Sequence, residues 1–116
     1  MVASGKQKPA IFVCYTKQAS DEVLKNILHG IEEEGIPVEL KGIPEGNLIK
    51  AAYTAACQSP LSVGITCNRE SAVLHYKHLQ ESSPLFHYSS IYSQSSATLR
   101  NLGTNAARLV KGLPFK

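Results

Sequence analysis

The sequence lacks the motifs by which a chain binds a nucleotide on its own. It contains no GxGxxG run and no P-loop, the glycine-rich segments that hold phosphate groups at a helix N-terminus. Gly42 and Gly46 flank a predicted turn, and turn geometry is a sufficient reason for both. Nothing in the sequence indicates an independent active site, so we expect a chain that is not an enzyme by itself.

Cysteine is also scarce, and no long apolar run is present. The three cysteines, Cys14, Cys57 and Cys67, form no CxxC pair and leave an odd count, which predicts a reducing compartment. Cys14 lies in an apolar run, without the exposed, electropositive surroundings of a reactive thiol. No apolar run approaches the ~20 residues of a membrane span, and residues 1–9 lack a signal-peptide core. We therefore expect a cytoplasmic protein that does not enter a membrane.

The charge balance is too mild to indicate nucleic acid. Twelve basic and nine acidic residues give a net charge of +3. The nearest approach to a basic stripe is Arg100, Arg108 and Lys111, which we interpret as solvated helix charges. The length of 116 residues predicts a single domain over residues 1–116, with residues 1–8 flexible and residues 9–115 folded.

The first third of the chain predicts a strand followed by an amphipathic helix. Residues 10–15 form an apolar run typical of a strand covered on both faces. Ser20 is the predicted N-cap of the helix, and Gly35 with Pro37 ends it. One apolar stripe at helical spacing consists of Val23, Leu24, Ile27, Leu28 and Ile31.

The rest of the chain continues the alternation of strands and helices. We predict strands at 38–43, 61–67, 72–76 and 85–88, an alanine-rich helix from the Asn47 cap to about Gln58, and a last helix over 95–111. The inner face of that last helix is predicted to contain Leu99, Leu102, Ala106, Leu109, Val110 and Leu113, with Gly103 permitting close packing. Because the connection at 68–71 is too short for a parallel crossover, the following strand should run antiparallel. The pattern predicts an α/β sandwich with a mixed sheet.

Two clusters of polar residues are candidates for a site. His75 and His78 have HxxH spacing, but zinc normally takes three or four ligands, so we interpret them as a strand end leading into a polar loop. The other cluster is an acidic triplet, Glu32, Glu33 and Glu34, at the C-terminal end of the first helix.

The acidic triplet breaks a rule of helix electrostatics. Each anion at that helix end costs about 0.3–1 kcal/mol at an exposed site. At about 100° per residue, Glu33 points almost opposite the apolar stripe, Glu32 is lateral and Glu34 lies near the stripe's edge. One interpretation is a solvated acidic end, partly balanced by Lys25 and Lys41. The other is that Glu33 meets a group outside the domain.

Several segments together resemble one known family, the small subunits of diol and glycerol dehydratase reactivases. They are GIEEEGIP at 30–37, SPLSVGI at 59–65, HYK at 75–77 and NLGTNAARLVKG at 101–112. The resemblance covers residues 9–115. The first and last of these segments, taken together, are specific to the family.

The resemblance implies a three-layer α/β fold with a five-stranded mixed sheet of order 2-1-3-4-5 and strand 4 antiparallel. This fold is similar to that of the dehydratase medium subunit and to anticodon-binding-like folds. The resemblance also implies a large partner subunit with an actin-like ATPase domain, assembled with this chain as a two-plus-two heterotetramer. Mg²⁺ and ADP or ATP would be held in that complex, and no cofactor by this chain alone. Glu33 would complete the coordination of Mg²⁺ at the interface.

The function implied by the resemblance is chaperone-like. The factor would release damaged cobalamin from an adenosylcobalamin-dependent diol or glycerol dehydratase, exchanging this subunit for the dehydratase medium subunit under the control of ATP. The location implied is the cytoplasm, in or beside a bacterial microcompartment used for propanediol.

Two alternatives remain open from the sequence. The chain could be the medium subunit of the dehydratase, although that subunit is longer and here the first strand begins by residue 10. It could instead be an RNA-binding module, because anticodon-binding domains share this architecture, although the basic residues are scattered.

Overall fold

The computed structural model describes residues 8–116, and the predicted flexible segment at 1–8 lies outside this range except for Lys8. The elements are, in order, β1 Ile11–Tyr15, α1 Asp21–Glu33, β2 Val38–Gly42, α2 Leu48–Gln58, β3 Val63–Cys67, β4 Ala72–Tyr76, β5 Phe86–Tyr88, a 3₁₀ turn Ile91–Ser93 and α3 Ser96–Lys111. Among these residues, no helix is both long enough and apolar enough to cross a membrane.

The sheet has five strands in the order β2-β1-β3-β4-β5, as predicted. The first three run parallel, β4 is antiparallel to β3, and β5 is antiparallel to β4. The tight connection before β4 explains its direction. The Asn68 side-chain oxygen accepts hydrogen bonds from the backbone N–H groups of Glu70 and Ser71, at 2.9 and 2.7 Å, which closes the turn.

The helices form two layers of unequal depth. Helices α1 and α3 cover one face of the sheet and enclose the main core, which includes Ile11, Val13 and Ile65. Helix α2 covers the other face over a thin core of Phe12, Cys14 and Ala55. The predicted three-layer sandwich is confirmed.

Close approach of backbones explains why the α2 face is alanine-rich. A Cβ on Gly64 of β3 would lie 2.5 Å from the backbone nitrogen of Ala56, so the helix rests directly on the strand. The buried residues of α2 are Ala52, Ala55 and Ala56. The small side chains of the alanine-rich helix therefore let it lie directly on the sheet.

Helices α1 and α3 touch through two glycines. A Cβ on Gly30 would lie 2.0 Å from the carbonyl oxygen of Arg100, and a Cβ on Gly103 would lie 1.9 Å from that of Ile27. The packing role predicted for Gly103 is confirmed, whereas Gly30 was not singled out. The order of the contacts shows that the two helices run in the same direction. Gly30 of α1 faces Arg100 and Thr104 of α3, and one turn further along both helices Glu34 faces Arg108.

The helix ends follow local capping rules. The side chains of Ser20, Asn47 and Ser95 each accept a hydrogen bond from the backbone N–H three residues on. Gly35 has φ of +77°, and its N–H donates to Glu32 O at 2.9 Å. The N–H of Ile36 reaches Ile31 O at 3.5 Å, which completes a Schellman motif.

Some predicted boundaries and one core residue were wrong. Strand β3 begins at Val63 rather than 61, because Ser62 has φ of +65° in a turn. Strand β2 ends at Gly42, one residue earlier than predicted, and β5 begins at Phe86, one residue later. Leu113, predicted on the inner face of the last helix, is 45% exposed because α3 ends at Lys111 and the chain turns away at Gly112.

Candidate functional site at the end of the first helix

The acidic triplet lies where the C-terminal ends of α1 and α3 meet. Glu33 is the last residue of α1, and Glu34 caps the helix. Helix α3 brings two basic residues, Arg108 and Lys111, to the same end in its last turn. Because the two helices run in the same direction, the negative end of α1 is placed beside cations from α3.

Glu34 is fully engaged within the domain. Its Oε1 accepts a hydrogen bond from Lys111 Nζ at 3.0 Å, and Lys111 Nζ also donates to the Glu34 backbone oxygen at 3.0 Å. Arg108 Nε lies 3.6 Å from Oε2, close enough for charge attraction but not for a hydrogen bond. The hydrogen bond from Lys111, together with the charges of Lys111 and Arg108, lowers the pKa of Glu34.

These contacts correct one interpretation of the sequence. Lys25 and Lys41 were expected to balance the triplet, but neither forms an ion pair with it among residues 8–116. Arg108 and Lys111 take that place, and they were interpreted as solvated charges. Sequence spacing offered a partial signal, since both residues lie in the last turn of α3. It could not show that α3 packs beside α1.

Glu32 and Glu33 are exposed, in contrast to Glu34. Neither carboxylate has an ion-pair partner within 4 Å in the described part of the chain. Glu32 faces the groove between α1 and β2, beside Leu28 and His29. Glu33 lies outside that groove. The orientation that the helical wheel predicted for Glu33 agrees with its exposure.

The donor chemistry of Glu33 fits a hard cation shared across an interface. Mg²⁺ prefers carboxylate oxygens and is commonly held by one or two of them together with other ligands. The described residues contain no group of three or more His, Cys, Asp or Glu that could hold a metal ion. A metal ion at Glu33 would therefore need ligands from outside the described residues.

The two histidines of the HxxH pair are not brought together. His75 is completely buried in β4, where its Nδ1 accepts from the Tyr76 N–H at 2.9 Å and its Nε2 bonds Glu81 O at 2.9 Å. His78 is exposed, and its ring packs against Tyr76. The predicted strand end leading into a polar loop is confirmed, since His75 lies in β4 and His78 in the turn after it. His75 is in addition a core residue with both ring nitrogens hydrogen-bonded.

The thiols give no second site. Cys14 and Cys67 are buried, and burial raises the pKa of both, that of Cys67 to about 11. A thiol with a raised pKa is protonated near neutrality and is a poor nucleophile. Only Cys57 among the described cysteines is exposed.

Comparison with known proteins agrees with this architecture. The family model of the dehydratase medium subunit matches residues 8–116. The chain is 50% identical over 108 residues to the propanediol dehydratase-reactivating factor small subunit of Citrobacter freundii, covering 93% of this chain and 90% of the relative. It is 46% identical over 113 residues to the corresponding subunit of Salmonella typhimurium, covering 97% and 95%.

Two solved structures have the same fold. A diol dehydratase-reactivating factor complexed with ADP and Mg²⁺ superposes with a TM-score of 0.87 and 46% identity, covering 95% of this chain and 99% of the other. A glycerol dehydratase reactivase superposes with a TM-score of 0.86 and 28% identity, covering 94% and 97%.

The chain belongs to the dehydratase medium subunit family and, within it, to the small subunits of diol and glycerol dehydratase-reactivating factors. This assignment implies a larger partner subunit and a dehydratase as the client, and it is consistent with a non-catalytic role. The relatives are reactivating-factor subunits, which favours that assignment over the dehydratase's own medium subunit and over an RNA-binding module.

Proposed function

We propose that this chain is the docking subunit of a reactivating factor and works in the cytoplasm through a large ATPase subunit, as a two-plus-two heterotetramer. Its sequence has no phosphate-binding motif, whereas a structurally similar reactivating factor is complexed with ADP and Mg²⁺. Nucleotide binding and hydrolysis are therefore assigned to the large subunit. The small subunit contributes a surface and one charged group.

The charged group is Glu33, and its exposed position outside the groove that Glu32 faces carries the proposal. The neighbouring Glu34 is neutralised by α3, so the triplet does not act as one solvated patch. Glu33 is exposed, without an ion-pair partner among residues 8–116, at a helix end that disfavours anions. A Mg²⁺ ion held mainly by the large subunit would relieve that electrostatic cost and would link the nucleotide site to this interface. The ion itself would supply charge neutralisation, and Glu33 would supply one oxygen ligand.

The same surface is proposed to serve subunit exchange. Dehydratase medium subunits and this chain share one family model across residues 8–116, which supports the idea that both fit one docking surface. The ADP-bound factor would trade this subunit for the medium subunit of an inactivated dehydratase, so that cobalamin lacking its adenosyl group can leave. ATP would reverse the preference. A hundredfold change in relative affinity corresponds to about 2.8 kcal/mol, a normal size for allosteric coupling. In the cell, this would take place in or beside a microcompartment.

The proposal predicts a specific loss in the variant Glu33→Gln, which keeps the size of the side chain but removes its charge. We expect this variant to bind the tagged large subunit at least about tenfold more weakly at limiting Mg²⁺. The matched control is Glu32→Gln, an exposed glutamate one residue away without a described ion pair, which should bind like wild type. Binding is measured by titrating each variant against the large subunit with ADP.

Two outcomes would contradict the role of Glu33. One is wild-type binding and wild-type magnesium dependence in Glu33→Gln. The other is an equal loss in Glu32→Gln, which would indicate general electrostatic attraction rather than metal ligation.

Exchange is tested separately by mixing the complex with inactivated dehydratase and following release of the labelled small subunit. Release in ADP but not in ATP is expected, and release independent of nucleotide would exclude the exchange mechanism.

A further inference from the structure

Strand β2 forms one edge of the sheet, and its outer side is open. It pairs only with β1, and four of its five residues are exposed. Leu40 in its middle is 50% exposed, unusual for a large apolar side chain within a strand. An open edge presents unpaired backbone donors and acceptors to another strand. The opposite edge, β5, has only three residues.

The backbone bonds show which residues of β2 face outward. The N–H of Ile11 donates to Pro37 O, and the N–H of Ile43 donates to Tyr15 O, so the odd-numbered positions of this segment bond to β1. Because backbone groups of successive strand residues point to opposite sides, the N–H and C=O groups of Val38, Leu40 and Gly42 are directed to the open edge.

The side chains of β2 divide between the two faces of the sheet. Glu39 and Lys41 are in register with Phe12 and Cys14, which belong to the thin core under α2. Leu40 is in register with Val13 and lies on the other face, beside α1. Glu39 and Lys41 form no ion pair within 4 Å in the described part of the chain. The edge therefore carries an alternating acid and base with an apolar residue between them.

We propose that a second copy of this chain docks on β2, antiparallel and with a two-fold axis through Leu40. In that register Glu39 of each copy lies opposite Lys41 of the other, so two opposite-charge pairs form. Leu40 meets Leu40 of the second copy, and the outward backbone groups exchange hydrogen bonds. The charge pairs occupy the non-hydrogen-bonded positions, where side chains of paired strands are closest.

Charge selects this register among those the backbone permits. A two-fold axis through residue 39 would place Glu39 opposite itself, and an axis through residue 41 would place Lys41 opposite itself, so both are disfavoured. Pro37 and Pro44 flank the strand and limit the pairing to this short segment. Since each copy offers one such edge, the two-fold pairing closes and does not propagate into a fibre.

The apolar part of the interface extends beyond the strands. A groove of about 440 Å³ between α1 and β2 is lined in part by Tyr15, Leu24, Leu28 and Leu40. The second copy would cover the outer wall of this groove. A five-residue pairing with one apolar groove is smaller than a standard protein interface, so we expect a weak dimer that forms as concentration rises.

Charge reversal tests the pairing on the full chain by sedimentation velocity over a range of concentrations. Glu39→Lys and Lys41→Glu each create two like-charge pairs, and we expect either to raise the dimer dissociation constant about tenfold. The double variant carrying both changes restores opposite charges and should dimerise like wild type. A chain that is monomeric at all concentrations, or a double variant no better than the single ones, overturns the proposal.

Cross-linking tests the position of the axis. In a Cys57→Ser background, Leu40→Cys should form an intermolecular disulfide under mild oxidation. In this register residue 40 and its counterpart form a hydrogen-bonded antiparallel pair, whose Cα atoms lie about 5.5 Å apart, within the disulfide range of about 4.4–6.8 Å. Glu39→Cys is the control, because its counterpart lies two residues along the strand. Equal rates of disulfide formation in both variants would refute this register.

The proposed dimer does not depend on Glu33, and Glu33→Gln should leave dimerisation unchanged.

Discussion

Gly103 is a position where helix propensity and packing predict opposite effects. It lies in the middle of α3, where replacing glycine with alanine usually stabilises a helix by about 1 kcal/mol. In this fold the α carbon of Gly103 faces α1 so closely that a Cβ would lie 1.9 Å from Ile27 O and 2.9 Å from Ile27 C. Both obstructing atoms are backbone, so no side-chain rotation can relieve the clash.

The size of the effect follows from the displacement. To restore an ordinary contact, α1 has to move away from α3 by about 1.5 Å. Ile27 and Ile31 of α1 are completely buried, so that movement also loosens the main core. Overpacking of this kind costs about 1–3 kcal/mol and occasionally more. Because both obstructing atoms are backbone, we take the upper end of that range, about 3 kcal/mol. Less the gain of about 1 kcal/mol in helix propensity, we expect Gly103→Ala to lose about 2 kcal/mol of unfolding free energy.

Urea unfolding followed by circular dichroism measures this loss, since a lower midpoint at constant slope reports reduced stability. The control is Gly46→Ala in the turn before α2, where a Cβ meets nothing within 4 Å. We expect its stability to stay within about 0.5 kcal/mol of wild type. A Gly103→Ala variant as stable as wild type, or more so, would show that α1 and α3 do not approach as closely as described.

Two further predictions concern charge and thiol chemistry. The pKa of Glu34 is lowered in the folded chain, chiefly by the hydrogen bond from Lys111. The ionised Glu34 side chain therefore stabilises the fold above the ordinary glutamate pKa of about 4.3, and this stabilisation is lost as the pH falls through the lower pKa of the folded chain. Glu34→Gln should therefore have a lower urea midpoint than wild type at neutral pH and a similar one in strong acid. Glu32→Gln, which removes an anion without an ion pair in the described part of the chain, should not lower the midpoint at either pH. A Glu34→Gln midpoint that stays equally far below wild type in acid would contradict the ion pair. Ellman's reagent should modify Cys57 rapidly in the folded chain, and Cys14 and Cys67 only on unfolding, because both are buried with raised pKa values. Fast modification of more than one thiol in native buffer would show that the cores are more open than described.

Local rules explain why most elements could be predicted. Ser20, Asn47 and Ser95 cap their helices through bonds to N–H groups only three residues away, and Gly35 ends α1 through its own left-handed conformation. Such interactions depend on neighbouring residues in the chain, which the sequence displays. The direction of β4 was equally local, since a short turn leaves room for no crossover.

Contacts between distant segments could not be predicted in the same way. In the sequence, Gly30 is only a residue of low helix propensity within α1. Its packing role depends on α3, where Thr104, 74 residues further along the chain, approaches Gly30 O. His75 was predicted at a strand end, but its complete burial could not be predicted, because its bond to Glu81 O depends on how the following turn folds back. The error at Leu113 was of another kind, since this residue fits the apolar stripe but lies beyond the predicted end of the helix at Lys111.

The sequence alone determined the order of strands and helices, the helix ends, the mixed sheet and the family resemblance, because each depends on short-range patterns or whole segments of residues. Only the tertiary structure decided which glutamate of the acidic triplet is paired and which two stay exposed. Three adjacent carboxylates are chemically equal in the sequence. They became different when α3 was packed alongside α1, because Lys111 and Arg108 then reached Glu34, while Glu33 stayed exposed with no ion-pair partner among residues 8–116.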